Sequence, residues 1–468
     1  MNASHASNAS NASSGSMANA RRVALASTIG TIAEYYDFFA YGTAAALVFG
    51  KLFFPSADPL LGTVAAFASF AVGFIARPIG GMVFGHFGDK VGRKKALIVT
   101  ILIVGLGTVC IGLLPTYAQA GWLAPAGLIA IRVLQGFGVG GEQAGAVLLT
   151  AEYAPSKRRG LMASLVQLGA PGGFLIPSAL FAVLTHALTD EQFLAWGWRI
   201  PFLASSLLVM IGLYIRLRID ESPIFAKIRA AKEVESAPLL QVLRSFPGIV
   251  LRGLLAKLVE SIAFTLYTMV VLVYGKSHGL DASLILQSII VAVVLELPMI
   301  LLAGWLSDRL GRRTVFIFGA LMQFVLVYPF FAAVDTGNAL MLHVAMICAL
   351  SIAHAFCYAP QASMFPELFP ARVRCSGIAL IWQFGSLLGG GLFSVLSIKL
   401  IQMMHGSSAG IVAYLMIVSA ISAIALYTLP ETAPRRRKGE ELHDWGSLEL
   451  DDPRANDTFP TAAQPRRA

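Results

Sequence analysis

The stretch GHFGDKVGR at residues 85–93 returns in the second half of the chain as GWLSDRLGR at residues 304–312. Two further marks recur in the same order. A Glu-x-x-Pro-x-x-x-Arg pattern occupies residues 152–159 and again 367–374, and a Glu-Ser or Glu-Thr pair stands at 221–222 and 431–432. Three shared marks in one order predict a chain built from two related halves.

The composition around these marks is that of a membrane protein. Of the 468 residues, 56% are hydrophobic and 13% are charged, and the mean hydropathy is +0.71. A soluble globular chain carries roughly 25% charged residues, so this chain has too little polar surface for a water-soluble body. The apolar residues form continuous runs and do not alternate with polar ones, which favours transmembrane helices over a barrel.

The apolar runs number twelve, six on each side of a hydrophilic stretch. The sequence therefore predicts an all-α membrane protein with two six-helix bundles. The predicted segments are a disordered cytoplasmic N-terminus (1–20), an N-terminal bundle (21–218), a cytoplasmic linker (219–248), a C-terminal bundle (249–430) and a cytoplasmic tail (431–468). Residues 1–20 repeat Asn-Ala-Ser, a polar pattern that cannot build a core.

The net charge of +9 is distributed unevenly over the loops. Basic residues concentrate in alternate loops, at 90–95, 157–159, 309–313, 372–374 and 435–438. This asymmetry follows the positive-inside rule and places these loops and both termini in the cytoplasm of a bacterial-type inner membrane. Because the positive-inside rule accounts for the basic residues, no nucleic-acid partner is expected.

At this point the sequence resembles a known family. The paired loops resemble the signature of the major facilitator superfamily, which implies twelve helices and substrate held between the halves near the midplane. Further motifs resemble its metabolite:proton symporter family, at 77–80 (Arg-Pro-x-Gly), 132–136 (Arg-x-x-Gln-Gly), 140–142 (Gly-Gly-Glu) and 196–201 (Trp-Gly-Trp-Arg-Ile-Pro). Members of that family take up shikimate, 2-oxoglutarate, citrate, aromatic acids, proline and betaine.

The charges inside the first half form the first group of candidate binding residues. An ionisable side chain inside a membrane helix usually faces a cavity or a partner. In the first helix, Glu34 and Asp37 share one face and are either proton sites or permanent partners of a buried arginine. Arg77 and Arg132 either bind an anionic substrate group or form a structural ion pair with Asp37 or Glu142. Within the superfamily, the fourth-helix arginine is associated with substrate or proton coupling, and Gln135 lies one turn beyond it.

The second half supplies the remaining candidates. Lys257 and Glu260 lie at i, i+3 and either neutralise each other locally or face the charges of the first helix across the cleft. Glu296 is a further candidate proton site, and Gln383 is a candidate substrate contact. His354 is expected to be a hydrogen-bonded packing residue, as a lone membrane histidine usually is.

The repeated loops are predicted to form a latch outside the substrate site. Through the resemblance, Arg93 is expected to reach Glu152 and close the cytoplasmic face, with the equivalent residues acting in the other half. The predicted gating residues are Gly85, Asp89, Gly92, Arg93 and Glu152, with Asp308, Arg312, Glu367 and Arg374.

No cofactor, metal or enzymatic activity is expected. Residues 136–141 fit Gly-x-Gly-x-x-Gly but lie in an apolar helix without a preceding strand, so they indicate close helix packing. The prediction is a proton-coupled symporter that imports a small organic acid by alternating access, with protons, lipid bilayer and an organic anion or zwitterion as partners. A proline or betaine symporter and a membrane sensor are the alternatives, and a monomer is expected.

Overall fold

The computed structural model describes residues 3–55 and 59–434, with the side chains of residues 3–18, 59, 60, 63, 64, 67 and 223 outside this description. Every regular element in that part is a helix. The membrane helices of the first half span Ala3–Ala44, Pro59–Val91, Arg93–Leu113, Leu123–Tyr153, Ser156–Ala187 and Arg199–Leu217. Those of the second half span Pro247–Ser277, Ala282–Leu310, Arg312–Asp335, Ala339–Glu367, Arg374–Met403 and Ala409–Thr428. They are numbered one to twelve below, and the predicted all-α fold is confirmed.

Eleven of these helices, within the described residues, have an apolar stretch long enough to cross a bilayer. The first helix falls outside that set, and Glu34 and Asp37 lower the hydropathy of its membrane portion. Its backbone continues back to Ala3, although the sequence predicted disorder for residues 1–20. Alanine is the strongest helix former, and extending an existing helix needs no new nucleus.

Glycines bring the second and fourth helices into backbone contact. A Cβ on Gly80 would lie 1.9 Å from the carbonyl oxygen of Phe137, and one on Gly140 would lie 2.2 Å from that of Arg77. Neither distance is physically possible, so both positions require glycine. Small residues let membrane helices pack by backbone approach.

The linker between the halves contains two short helices, Pro223–Ala230 and Pro238–Ser245. Most of the predicted tail, from residue 435 onward, lies outside the described residues. The halves meet along the second, fourth and fifth helices of the first half and the eighth, tenth and eleventh of the second. These contacts concentrate in Arg159–Gln167 and Arg374–Ser386, the portions of the fifth and eleventh helices nearest the repeated loops.

Three membrane helices contain a π-helical turn: the seventh at Leu266–Val270, the tenth at Ile347–His354 and the eleventh at Leu387–Gly391. Another π turn, Ala45–Phe49, follows the end of the first helix directly. A π turn adds a residue to the helical repeat and re-aims the side chains beside it, often at functional sites. The turn in the tenth helix ends on His354.

Candidate functional site

The second-last residue of each repeated loop is a glycine in the left-handed region of backbone space. Gly92 has φ +125° and Gly311 has φ +108°, which favour glycine over any other residue. A Cβ on Gly92 would also lie 2.1 Å from Oε2 of Glu221. That carboxylate accepts the backbone N–H of Arg93 at 3.0 Å, and Glu431 accepts that of Arg312 at 2.8 Å. The recurring glutamates thus cap the third and ninth helices beside each loop.

The aspartate of each loop reaches the opposite half. Asp89 accepts the backbone N–H groups of Cys375 at 3.1 Å and Ser376 at 2.8 Å, in the first turn of the eleventh helix. Asp308 does the same for the fifth helix, accepting from residues 160 and 161 at 2.7 and 2.9 Å. The first N–H groups of a helix have no partner within it, and the positive end of the helix dipole favours a carboxylate there.

Ion pairs extend this connection between the halves. Glu152 lies 3.6 Å from Arg93 of its own half and 3.4 Å from Arg374 of the other. Glu367 lies 2.5 Å from Arg312 of its own half and 3.0 Å from Arg159 of the other. Arg93 also donates to the carbonyl oxygen of Ala371 at 2.8 Å, across the halves. The surface formed by both loops and these partners, called the loop face below, is closed in this structure.

Deeper in the first half, Asp37 is held by three donors. It accepts hydrogen bonds from Thr108 at 2.5 Å, Gln135 at 2.7 Å and Arg132 at 3.1 Å. The Arg132 guanidinium also lies 3.6 Å from the ring centroid of Tyr41. Asp37 and Arg132 are 1% and 4% exposed, so the structure brings these predicted residues together as a buried ion pair.

Glu142 belongs to a separate buried pair. It forms a two-oxygen contact with Arg216 of the sixth helix and accepts from Thr100 at 2.5 Å. Arg216 also donates to the carbonyl oxygen of Leu97 at 2.6 Å. All three charged or polar partners come from different helices of the first half, so this pair joins the third, fourth and sixth helices.

Arg77 and Glu34 are the predicted residues of this half that remain unpaired. Among residues 3–55 and 59–434, no carboxylate lies within 4.0 Å of Arg77, whose guanidinium is 5.0 and 4.7 Å from the ring centroids of Phe38 and Phe74. Arg77 is one helical turn from Gly81, which contacts Gln383 of the second half, so it lies on the face between the halves. Oε2 of the buried Glu34 has no hydrogen-bond partner in the same part of the chain.

The second half holds a continuous row of buried charges. Lys257 pairs with Glu260, whose Oε1 lies 3.4 Å from Nε2 of His354. Nδ1 of the same imidazole lies 2.6 Å from Oε1 of Glu296. The seventh, eighth and tenth helices each contribute to the row.

A polar bridge connects the halves between these sites. Tyr35 donates to Gln143 at 3.3 Å, and Gln143 donates to the hydroxyl of Tyr358 at 3.3 Å. Gln167 donates to the carbonyl oxygen of Tyr358 at 2.9 Å. Gln383 donates to the backbone of the fourth helix, at Gly140, at 2.8 Å, so it joins the two halves.

Sequence reasoning missed several of these residues. Arg216 stands at the end of an apolar run, where a basic residue is ordinarily part of the positive-inside pattern. His354 was expected to be a packing residue, yet it contacts two acids. Its spacing to Gln361 and Tyr358 along the tenth helix was the available signal, because i, i+4 and i, i+7 place three polar groups on one face.

The arrangement can bind an ion and change conformation. An unpaired guanidinium between two domains can bind a carboxylate through two parallel hydrogen bonds. Buried acids beside it can take up protons, and a closed loop face held by cross-half caps can open. In the described residues no group of three or more potential ligands is placed to hold a metal.

Known proteins share this architecture. A family model for the Major Facilitator Superfamily matches residues 27–394 and 289–463. The shikimate transporter of Escherichia coli (strain K12) is 38% identical over 413 residues, covering 87% of this chain and 94% of that protein. The inner membrane metabolite transport protein YhjE of the same organism is 38% identical, covering 88% and 94%. The proline/betaine transporter of Escherichia coli (strain K12) is 34% identical, covering 90% of this chain and 85% of that protein.

Among solved structures, the proton:xylose symporter XylE bound to 6-bromo-6-deoxy-D-glucose matches with a TM-score of 0.74. The match covers 89% of this chain and 97% of the XylE chain at 17% identity, a likeness that shows the fold. The family resemblance carried by the paired loops is thus confirmed. The chain belongs to the major facilitator superfamily, as a multi-pass membrane transporter of metabolites that is not an enzyme.

Proposed function

We propose that this chain is a proton-coupled symporter that imports a small organic carboxylate by alternating access. The observation that carries the proposal is Arg77, a guanidinium between the halves with no carboxylate partner in the described residues. Arg132, the other arginine among the candidate intramembrane charges, is already paired with Asp37. The relative named as a shikimate transporter supports this substrate class, since shikimate is a monocarboxylate.

The loop face would be the cytoplasmic side of an inner membrane. Its loops carry the basic residues, which the positive-inside rule assigns to the cytoplasm. The closed loop face then corresponds to a state that receives substrate from outside. Breaking the cross-half caps of Asp89 and Asp308 would open the cleft to the cytoplasm.

Proton coupling would use a buried acid that is neutral in one state and charged in the other. Asp37 and Glu34 are the candidates in the first half, and Glu260 and Glu296 in the second. A ligand shifts a conformational equilibrium only if it binds the two conformations of the protein with different affinities. A carboxylate that is buried in one conformation and hydrated in the other binds a proton with different affinities in the two. Gln135 and Arg132 would hold the charged form of Asp37.

A zwitterionic osmolyte is the second candidate substrate. The first half carries the buried acid Glu34 as well as Arg77, so it offers both signs of charge. A proline/betaine transporter is among the relatives. A sensor that moves no solute is the remaining alternative.

The test is uptake into proteoliposomes of labelled shikimate, proline and glycine betaine, with and without an imposed proton gradient. We expect gradient-driven shikimate uptake that a protonophore abolishes. Uptake of betaine alone would favour the osmolyte symporter, and no uptake of any solute would contradict a transport function for these substrate classes.

Arg77→Gln tests the binding residue. Losing a charge-assisted bond worth about 1.5–3 kcal/mol should raise the KM for shikimate by roughly 10- to 100-fold. Arg218→Gln is the matched control, because Arg218 also stacks on an aromatic ring, Tyr214 at 4.5 Å, but is exposed at the end of the sixth helix. An unchanged KM in Arg77→Gln would refute the assignment.

A further inference from the structure

The row of charges in the second half contains more acid than base. Lys257, Glu260, His354 and Glu296 are 2, 5, 2 and 1% exposed, so all four are shielded from water. With a neutral imidazole and two ionised carboxylates, the row would carry a net charge of −1. Burying an uncompensated charge is costly, and such groups usually neutralise.

The geometry of the imidazole specifies how that charge is removed. Nδ1 lies 2.6 Å from a carboxylate oxygen of Glu296, and Nε2 lies 3.4 Å from one of Glu260 without a hydrogen bond between them. A neutral histidine has one N–H and one lone pair, so one nitrogen would present its lone pair to an ionised carboxylate. One added proton, on His354 or shared with Glu296, removes this repulsion and brings the row to neutrality.

The groups packed around His354 offer no other compensation. The rings of Phe264 and Tyr358 lie 5.5 and 5.4 Å from the imidazole, and the neutral side chains of Ser261 and Gln361 donate to Glu260 at 3.3 and 3.5 Å. None of these groups supplies a positive charge, and Lys257 is already counted in the row.

We propose that Glu260, His354 and Glu296 form a proton-binding site in the second half, separate from the Asp37–Arg132 pair. The site holds one proton while the loop face is closed. It loses that proton to water when the halves separate at the loop face.

The bridge between the halves supplies the link to opening. The ring of Tyr358 stacks on the imidazole at a centroid distance of 5.4 Å. Gln143 and Gln167, both from the first half, bond to the hydroxyl and the carbonyl oxygen of Tyr358. Separating the halves breaks both bonds and admits water beside His354. Water solvates the net negative charge of the row, so losing the proton no longer leaves a buried, uncompensated charge. This coupling step rests on the proposed function, whereas the presence of the proton does not.

The proton is tested first on the full-length, substrate-free protein at pH 7.5. Nitrogen-15 NMR of the histidines, with His354→Gln to assign the signal, should report an imidazolium, or infrared spectroscopy should show a carboxylic acid band that Glu296→Gln removes. In Glu296→Gln the row is neutral without the added proton, so His354 should become a neutral imidazole. A neutral His354 in the wild type together with no such carboxylic acid band would overturn the proposal.

Coupling is tested with shikimate in proteoliposomes. Glu296→Gln should retain exchange of labelled for unlabelled shikimate but lose accumulation driven by a proton gradient, while Glu296→Asp retains both. Gradient-driven accumulation that persists in Glu296→Gln overturns the coupling role. A protonated row in a chain that accumulates shikimate in no variant supports the proton site and counts against the proposed transport of this acid.

Discussion

Replacing Asp89 with asparagine should open the loop face. In the closed structure its carboxylate accepts two N–H groups of the eleventh helix, at 3.1 and 2.8 Å, and lies 3.3 Å from Arg93. The amide of the Asp89→Asn variant would keep one acceptor oxygen and lose the charge. A charged hydrogen bond contributes about 1.5–3 kcal/mol against about 0.5–1.5 for a neutral one. The interaction with the helix dipole adds up to about 2 kcal/mol where it is buried.

These terms overlap, so we expect a net loss of about 2 kcal/mol from the closed state. That corresponds to a roughly 30-fold larger population of open molecules, at 1.4 kcal/mol per factor of ten. Native-state hydrogen exchange measures it directly, because the amides of Cys375 and Ser376 exchange only when their bonds to Asp89 break. Because the exchange rate is proportional to the population of open molecules, we expect the exchange of both amides to accelerate by roughly 30-fold.

The duplicated cap distinguishes opening of the whole face from local fraying. If the two caps close one surface, Asp89→Asn also accelerates exchange at Gly160 and Leu161, which Asp308 protects. Glu233→Gln is the control, because it removes an ion pair with Arg372 whose side chains are 37 and 46% exposed. An exposed pair contributes at most about 1 kcal/mol. Acceleration confined to the eleventh helix, or equal in the control, would refute a gating role.

Two further predictions concern stability. Gly311→Ala should lower the midpoint of thermal unfolding in detergent, because φ +108° costs a non-glycine residue about 1–3 kcal/mol and the new Cβ would lie 2.5 Å from Glu431; an unchanged midpoint would contradict the strain. Arg216→Met should destabilise the chain by about 3–5 kcal/mol in a reversible unfolding titration, because it leaves Glu142 charged, buried and without its cation. The double variant Arg216→Met/Glu142→Gln should recover most of that loss, and failure to recover would mean that packing of the arginine side chain dominates.

The sequence predicted local relationships well and distant ones poorly. Glu221 and Glu431 were visible as repeats, and Lys257 and Glu260 were visible as neighbours at i, i+3, because helical periodicity fixes which residues share a face. The contact of His354 with Glu296 joins the tenth and eighth helices. A single sequence carries no information on which faces of two separate helices meet, so such contacts need the packed structure.

The same limit applied to the arginines. In the sequence, Arg77 and Arg132 were both isolated cations in apolar helices, and the family resemblance gave Arg132 the priority. Packing distinguishes them, because Arg132 meets Asp37 of the first helix, whereas Arg77 meets the rings of Phe38 and Phe74. The priority for an anion site therefore moves from Arg132 to Arg77, and Arg132 becomes the partner of a candidate proton acceptor.

The two halves remain alike at the loop face, where they close the molecule, and differ at the centre, where substrate would bind. At the loop face, Asp89 and Asp308 make the same pair of bonds to the opposite half, so each half holds the other by the same contact. In the centre, the first half pairs Asp37 and Glu142 with arginines, whereas the acids of the second contact a lysine and His354. A symmetric closure lets both halves open together, and an asymmetric centre can orient a substrate with one charged end. An arginine keeps its charge in every state, but a histidine need not, and this difference sets the proton site proposed around His354 apart from the arginine-paired acids of the first half.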